Sequence, residues 1–571
     1  MRACNNNCIR CFIEEQSSLK ESYPDIFIYY ENKIPVFSCD TDVRRITQEM
    51  IDEELKRAPF AYIRSNGRIF YYRALAECVS RLQNVSVLLD FYSYNLNIHN
   101  DITKTRQGFE QMVRGINNLL AFNTSLLVNY HVGNFRRDLK ELADLGVKDV
   151  RLAVSDYPDI QKAVPVIKEA VQYCDELGLN VTVDKYPREL GFLLGKVFVG
   201  PDQIAITVNN ICNHKCIFCT DLSNVLIDDK NLHAFRNIKQ CPNYGVLDLP
   251  RFKALIDDAA KIRVERIVIT GGEPLIHSDI MEMLEYVKSK DMMATLLTNA
   301  SLLNEEMSKK LVDMSLEILQ VNLSAFDSPN YRIQHNISHA NVLFPRIIKQ
   351  LKILKEIKEK KNSPVPIVEI VFVMTRHLFG RFREMAELCS EVGASAAFFK
   401  PLQIMKSGLK QYLPTQKQVD EFHRNFQEYK AYFHKRGMRE TLDELKFALE
   451  TFSKTGEYYK SSYEEVPCSI AWKYAQISAQ GEVSPCCTST YGFMGNINEQ
   501  ELRDIWQGRR YKEFRWATQD KAFTRRRKEC GICPNYLFDN LLFHNAIKML
   551  ELDKFIKRRD SEAKLRERVL A

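Results

Sequence analysis

What this 571-residue sequence lacks narrows its function first. No apolar run reaches the roughly 18 residues that a membrane-spanning helix needs. The opening MRACNNNC has no apolar stretch of a secretory signal, so a cytoplasmic protein is expected, without a membrane partner. Charge of one sign is scarce: 80 Lys and Arg stand against 73 Asp and Glu, a net +7. No basic block with interleaved aromatics marks a nucleic-acid groove. The densest basic run, TRRRKEC at 524–530, reads as a solvated face. The chain is too long for a single core, so about two to four domains are expected.

Cysteine, by contrast, is abundant: 16 residues, most of them in three groups. In a reducing compartment grouped cysteines read as metal or redox sites rather than disulfides. Two groups share the spacing C-x3-C-x2-C: Cys4, Cys8 and Cys11, then Cys212, Cys216 and Cys219. Structural zinc prefers a closed tetrahedron, and no fourth ligand stands at zinc-like spacing. Three thiolates on one loop leave one iron of a four-iron cluster open to a small chelating ligand. His214, inside the loop, is expected to point outward.

From 201 to 410 short apolar runs alternate with amphipathic helical patterns. QIAITV (203–208), RIVITG (266–271), ATLLTN (294–299), ILQVNLS (318–324), IVEIVFVM (367–374) and AAFF (396–399) read as strands. Helices lie between them, one of them ending where Gly393 supplies a helix stop. Repeated β-α units imply a parallel sheet covered by helices, here a partial (β/α)6 TIM-like barrel. Residues 1–200 run through a shortened version of the plan. FAYIRSNGRIFYYRALAECVSRL parallels RIVITGGEPLIHSDIMEMLEYVK, VSVLLDFYSYN parallels LEILQVNLSAFD, and SLLVNYHVGNFRRDLKELADLGVKDVRLAV parallels VEIVFVMTRHLFGRFREMAELCSEVGASAAFF. An internal duplication is expected, its first copy having lost pieces. Residues 411–465 read as a helical connector, 466–545 as a third unit with its own cysteines, and 546–571 as a charged helical tail.

CNHKCIFC directly after a strand, followed about 50 residues on by TGGEPL, resembles the radical S-adenosylmethionine (SAM) superfamily. The resemblance covers residues 203–400. It implies that Cys212, Cys216 and Cys219 hold a [4Fe–4S] cluster whose open iron chelates SAM, and that reductive cleavage gives a 5′-deoxyadenosyl radical that abstracts a hydrogen atom. It further implies SAM contacts at Phe218, at Gly271, Gly272, Glu273 and Pro274, and at Thr298, Asn299 and Ser324. The glycines would let the backbone approach the methionyl ammonium, with Glu273 as a nearby anion. An external one-electron donor such as flavodoxin or ferredoxin follows. Arg376, His377 and Lys400 stand near strand ends, and no general acid or base is assigned among them.

The first copy departs from that pattern. Ser65, Asn66, Gly67 and Arg68 stand where GGEP should be, Arg10 takes the place of Phe218, and no strand precedes Cys4. Cys4, Cys8 and Cys11 either ligate a further cluster or are relics. The C-terminal text PCSIAWKYAQISAQGEVSPCC, followed by CGICP, resembles the auxiliary-cluster extensions called SPASM and Twitch. Cys468, Cys486, Cys530 and Cys533 would close a second [4Fe–4S] cluster, the shorter Twitch form, with Cys487 as the spare of a pair; a zinc site is the alternative. A fully ligated cluster suits electron transfer, hence a net oxidation or epimerisation. Because no winged-helix domain that recruits a leader peptide is found, a small sugar- or cyclitol-like substrate is expected ahead of a ribosomal peptide, with a non-catalytic electron carrier as a third reading.

Overall fold

The computed structural model describes residues 27–219 and 245–450 with short interruptions, most of 467–520, and scattered positions from 523 to 547. The chain forms two compact units, Met1–Val199 with Ala546–Ala571, and Gly200–Asn545. The tail at 551–571 and Cys4, Cys8 and Cys11 lie outside the described residues.

In the second unit six strands pair in parallel and in chain order: β8 (Gln203–Thr207), β9 (Arg266–Thr270), β10 (Met293–Thr298), β11 (Ile318–Asn322), β12 (Ile367–Met374) and β13 (Ala396–Pro401). Each coincides with an apolar run of the sequence, and together they make the expected partial barrel. Their outer face packs on helices: the Phe372 and Phe399 rings stack at 5.5 Å, and Phe382, from helix Phe382–Glu391, sits 5.6 Å from Phe399. Gly393 has φ +70°, the left-handed stop that this helix needs. The opposite, inner face carries polar groups such as Gln320, which donates to Glu369 at 2.9 Å.

Both edges of this sheet hold strands that the sequence pattern does not announce. β14 (Arg439–Glu440) is only two residues long and joins β13 from within the stretch expected to be helical. β15 (Tyr474–Ile477) runs parallel to β8, then turns into β16 (Glu482–Ser484) and β17 (Gly495–Asn496). The C-terminal cysteine segment is thus a continuation of the barrel sheet.

The first unit is a seven-stranded sheet in chain order: β1 (Phe27–Glu31), antiparallel to β2 (Ile34–Ser38), then β3 (Ala61–Ser65), β4 (Val85–Phe91), β5 (Leu126–Tyr130), β6 (Asp149–Leu152) and β7 (Asn180–Val183), all parallel to β2. Two helices, Leu96–Thr103 and Gly108–Ala121, link β4 to β5, as Ser328–His335 and Ala340–Lys360 link β11 to β12. One helix, Phe135–Asp144, links β5 to β6, as Phe382–Glu391 links β12 to β13. By this count, among the described residues, the element without a counterpart is β10 with its helix. One face of the sheet is apolar, with Ile63, Leu89, Val128 and Val150 fully buried. The other is polar: Asp90 accepts from Arg64 Nε and Nη2 at 2.8 and 2.9 Å and from Asn129 at 2.7 Å. Burial alone would raise the Asp90 acid, but the Arg64 charge and the His131 and Arg64 hydrogen bonds hold it well below the usual carboxylate range.

Candidate metal centre

Beyond β8 the chain runs straight into the first cysteine, and the end of β9 clasps it. Gly272 N donates to Asn209 O at 2.8 Å, Glu273 N donates to Ile211 O at 2.7 Å, and Asn209 Nδ2 donates to Glu273 O at 3.1 Å. A Cβ on Gly272 would lie 2.3 Å from Ile211 O, and one on Gly271 2.7 Å from Asn209 O. The glycine pair is therefore required by the approach of the cysteine loop itself, a reason that the motif alone does not disclose.

Glu273 is buried to 1% exposure and turned inward. Its carboxylate accepts from Leu275 N at 2.9 Å, from Thr298 Oγ1 at 2.6 Å and from Asn299 N at 2.8 Å. Burial pushes this acid up, while the three hydrogen bonds pull it down. It thus ties the tip of β9 to the tip of β10, and Pro274 begins the short 3-10 turn that it caps. Asn299 Nδ2 donates to Asn213 Oδ1 at 3.0 Å, linking the tip of β10 to the cysteine loop. Ser324 sits at φ +42°; its hydroxyl donates to Asn322 Oδ1 and accepts from Val373 N.

The helix Ser328–His335 supports the loop from below. Lys215 N donates to His335 O at 3.3 Å, and Ile217 N donates to Gln334 O at 2.9 Å. His335 Nε2 lies 2.6 Å from Leu323 O. A carbonyl only accepts, so Nε2 carries the proton, and Nδ1 is left to accept from the Cys216 thiol at 3.0 Å. Phe218 meets the same ring edge-on at 5.5 Å. His214, expected to face solvent, is instead 3% exposed, with Nε2 2.8 Å from Tyr331 Oη. The helix packed beneath the loop gives it a polar partner and removes it from water, and burial lowers its pKa to about 4. Tyr331 and His335 are positions the sequence reading missed; their signal was a four-residue spacing that puts both on one helix face.

The donor set fits a four-iron cluster with an open iron. Burial raises the Cys216 thiol well above its usual range, and the Cys219 and Cys212 sulfurs raise it further, so holding it as a thiolate asks for a cationic centre. Glu273 and His214 are engaged elsewhere. Among the described residues no three His, Cys, Asp or Glu side chains converge as on a single metal ion, whereas a cluster asks only one sulfur per iron.

In the auxiliary segment, Gly481 turns β15 into β16 at φ +84°, where a Cβ would come 2.7 Å from Asn496 Oδ1, and Cys486 follows shortly after β16. Cys468 N donates to Thr518 O at 3.1 Å, and Cys533 N donates to Cys530 O at 3.2 Å. Of the basic residues at strand ends, Arg376 donates to Gln411 O, while Lys400 stands on β13, where burial lowers its pKa.

Residues 206–389 match the radical SAM superfamily model, and residues 468–534 match that of the iron–sulfur cluster-binding domain SPASM. The chain carries a radical SAM domain followed by a SPASM domain. The radical SAM domain brings SAM and a [4Fe–4S] cluster with it, and SPASM brings further iron–sulfur clusters, so the protein is an enzyme. A tungsten-containing aldehyde ferredoxin oxidoreductase cofactor-modifying protein of Pyrococcus furiosus is 25% identical over 49% of this chain and 78% of its own length. PqqA peptide cyclase of Granulibacter bethesdensis is 23% identical over 49% and 72%. The subtilosin biosynthesis protein AlbA of Bacillus subtilis is 24% identical over 57% and 64%. Among solved structures, SuiB of Streptococcus suis bound to S-adenosylmethionine is 17% identical, with a TM-score of 0.44, over 67% of this chain and 86% of that one. No helix among the described residues is long and apolar enough to cross a membrane.

Proposed function

We propose that this protein cleaves SAM reductively at Cys212, Cys216 and Cys219 and uses the resulting radical to modify a peptide. The observation that carries the first half is the glycine pair clasped on the cysteine loop through Asn209 and Ile211, because it joins the two SAM-site motifs into one rigid element. When bound, SAM and the cluster supply a 5′-deoxyadenosyl radical that takes a hydrogen atom from the substrate. The chain's own residues position them. Glu273 fixes the tips of β9 and β10, and with them Gly271, Gly272, Pro274, Thr298 and Asn299, around the ligand. Phe218 and Ser324 line the same end of the barrel. His335 and Tyr331 hold the loop that presents the three sulfurs. Cys468, Cys486, Cys530 and Cys533, within the SPASM segment, would hold an auxiliary cluster that could take the second electron of a net oxidation.

For the substrate, the relatives favour a peptide over the sugar-like compound expected from the sequence. That expectation rested on a missing winged-helix domain rather than on any residue of the site, and two of the long matches are by name a peptide cyclase and a bacteriocin biosynthesis protein.

Residues 1–200 are, on this reading, a shortened second copy without SAM chemistry. The strand before the SAM-like turn is β2, and it follows the cysteines in the chain instead of preceding them. Loss of the β10 unit removes the partners that a glutamate would need there. The replacement turn goes elsewhere: Gly67, at φ +81°, packs so tightly on helix Gly108–Ala121 that a Cβ on Gly115 would lie 2.2 Å from Gly67 O. The test is anaerobic reconstitution, dithionite and SAM, with 5′-deoxyadenosine as the readout. It forms in the wild type and not in Cys212→Ala.

A further inference from the structure

A cation buried in the C-terminal segment has no anion beside it among the described residues. Arg515, 3% exposed, stands on the helix Arg509–Gln519, whose inner side also buries Tyr511, Phe514 and Thr518. Its Nε donates to Ala471 O at 2.9 Å, and its Nη1 donates to Trp506 O at 2.8 Å. The guanidinium lies 4.4 Å from the Trp506 ring centre and 4.8 Å from that of Tyr511. Nη2 is buried and has no hydrogen-bond partner among the described residues. Burial lowers the Arg515 pKa to about 9, with no carboxylate to offset it, so the group stays cationic at neutral pH. Two carbonyls and two ring faces solvate such a charge only in part, and a buried charge without a counter-charge is costly.

Its neighbourhood is that of the auxiliary cysteines. Ala471 stands three residues after Cys468. Cys468 N donates at 3.1 Å to the carbonyl of Thr518, on the turn of helix after Arg515. On the other side, Tyr511 Oη lies 3.5 Å from Ser484 O, two residues before Cys486. Burial raises the Tyr511 hydroxyl, the Arg515 charge lowers it and the Cys486 sulfur raises it again, so cation and sulfur act on the same buried group. The unanswered cation thus sits against the chain at two members of the ligand set.

We propose that Arg515 is the buried counter-charge of the auxiliary cluster and raises its reduction potential. The proposal rests on the reading of Cys468, Cys486, Cys530 and Cys533 as that cluster's ligands. A cluster held by four thiolates is an anion, and reduction adds to its charge. A fixed cation nearby therefore favours the reduced state and makes the cluster a better electron acceptor. A unit charge roughly 10 Å from another, at an effective dielectric of about 20, changes an equilibrium on the order of tenfold. Only the electron moves: the guanidinium is protonated before and after, and no bond is made or broken.

The test uses the full-length chain with Cys4, Cys8, Cys11, Cys212, Cys216 and Cys219 replaced by alanine, so that iron bound after anaerobic reconstitution belongs to the C-terminal cysteines. The midpoint potential of this parent is read by dithionite titration with mediators, followed by electron paramagnetic resonance. Arg515→Gln removes the charge and keeps a hydrogen-bond donor. It is expected to lower the equilibrium constant for reduction about tenfold, a fall of about 59 mV for one electron. Arg515→Lys keeps the charge and should recover most of that fall. Thr518→Val removes the hydroxyl that donates to Arg515 O at 3.1 Å, disturbing the same buried side without a change of charge, and should leave the potential at the parent value. Iron lost from Arg515→Gln but kept in Arg515→Lys near the parent potential would also support the proposal. Arg515→Gln with its iron and the parent potential would overturn it. So would an equal fall in Arg515→Lys or Thr518→Val, or loss of iron from both Arg515 variants, since each would make the residue's part structural. A parent that binds no iron would overturn the ligand reading itself, and the iron assay tells that failure from the others.

Discussion

At the scale of single residues, a motif letter and its physical role can differ. Glu273 stands in the sequence as an anion beside a cationic ligand; in the fold both oxygens are committed to donors on its own turn and on β10. Glu273→Gln keeps the shape but sets an amide nitrogen against at least one of those donors. It should cost about 1–3 kcal/mol of stability, measured by urea denaturation, and lower the rate of 5′-deoxyadenosine formation about tenfold or more. His99, 1% exposed and packed against Phe91, Tyr92 and Phe109, gives a second prediction. Burial, with the nearby Arg68 charge, lowers its pKa to about 4. The unfolded chain binds a proton near pH 6.5 and the folded one does not, so the stabilising contribution is present above that pH and is lost as pH falls toward 4. Unfolding free energies from urea at pH 7 and pH 5 should differ by about 2 kcal/mol because of this residue, and the overall difference should shrink by about that amount in His99→Phe.

At the scale of elements, legibility follows the range of the interaction. Strands β8 to β13 are readable because a buried parallel strand is a continuous apolar run, a local property. The helix stop at Gly393 is local too. β14, with two residues, and the pairing of β15 with β8 are not readable, since their hydrogen bonds come from segments far apart in sequence. The same reason hides the burial of His214, which exists only because a helix more than a hundred residues on packs under the cysteine loop. The glycine pair makes the converse point: its identity is legible, but the atom that requires it, Ile211 O, is not. Gly272→Ala would drive a methyl into that carbonyl and displace the loop. Iron bound after reconstitution should then fall by about four atoms per chain, one cluster's worth; full iron content would show that the loop tolerates the shift.

At the scale of the whole molecule, the proposed reading has one plan used twice. The second unit keeps β10, the glutamate and the cysteine loop after its first strand. The first unit pairs β3 directly with β4, and its inner wall carries the Arg64–Asp90–Asn129 network. The number of clusters divides the two readings of Cys4, Cys8 and Cys11. Iron content that is unchanged when all three are replaced means that the opening motif is a relic, and a loss of about four irons per chain means that it still binds a cluster. A triple alanine variant at these positions removes about four irons only in the second case.

The central claim is that the element formed by the cysteine loop and the glycine pair cleaves SAM. Quantifying 5′-deoxyadenosine from the anaerobic, cluster-loaded protein with dithionite and SAM tests it most directly. The account predicts that it accumulates in the wild type, persists when Cys4, Cys8 and Cys11 are replaced, and vanishes in Cys216→Ala. A wild type that holds its iron and yields none would contradict it.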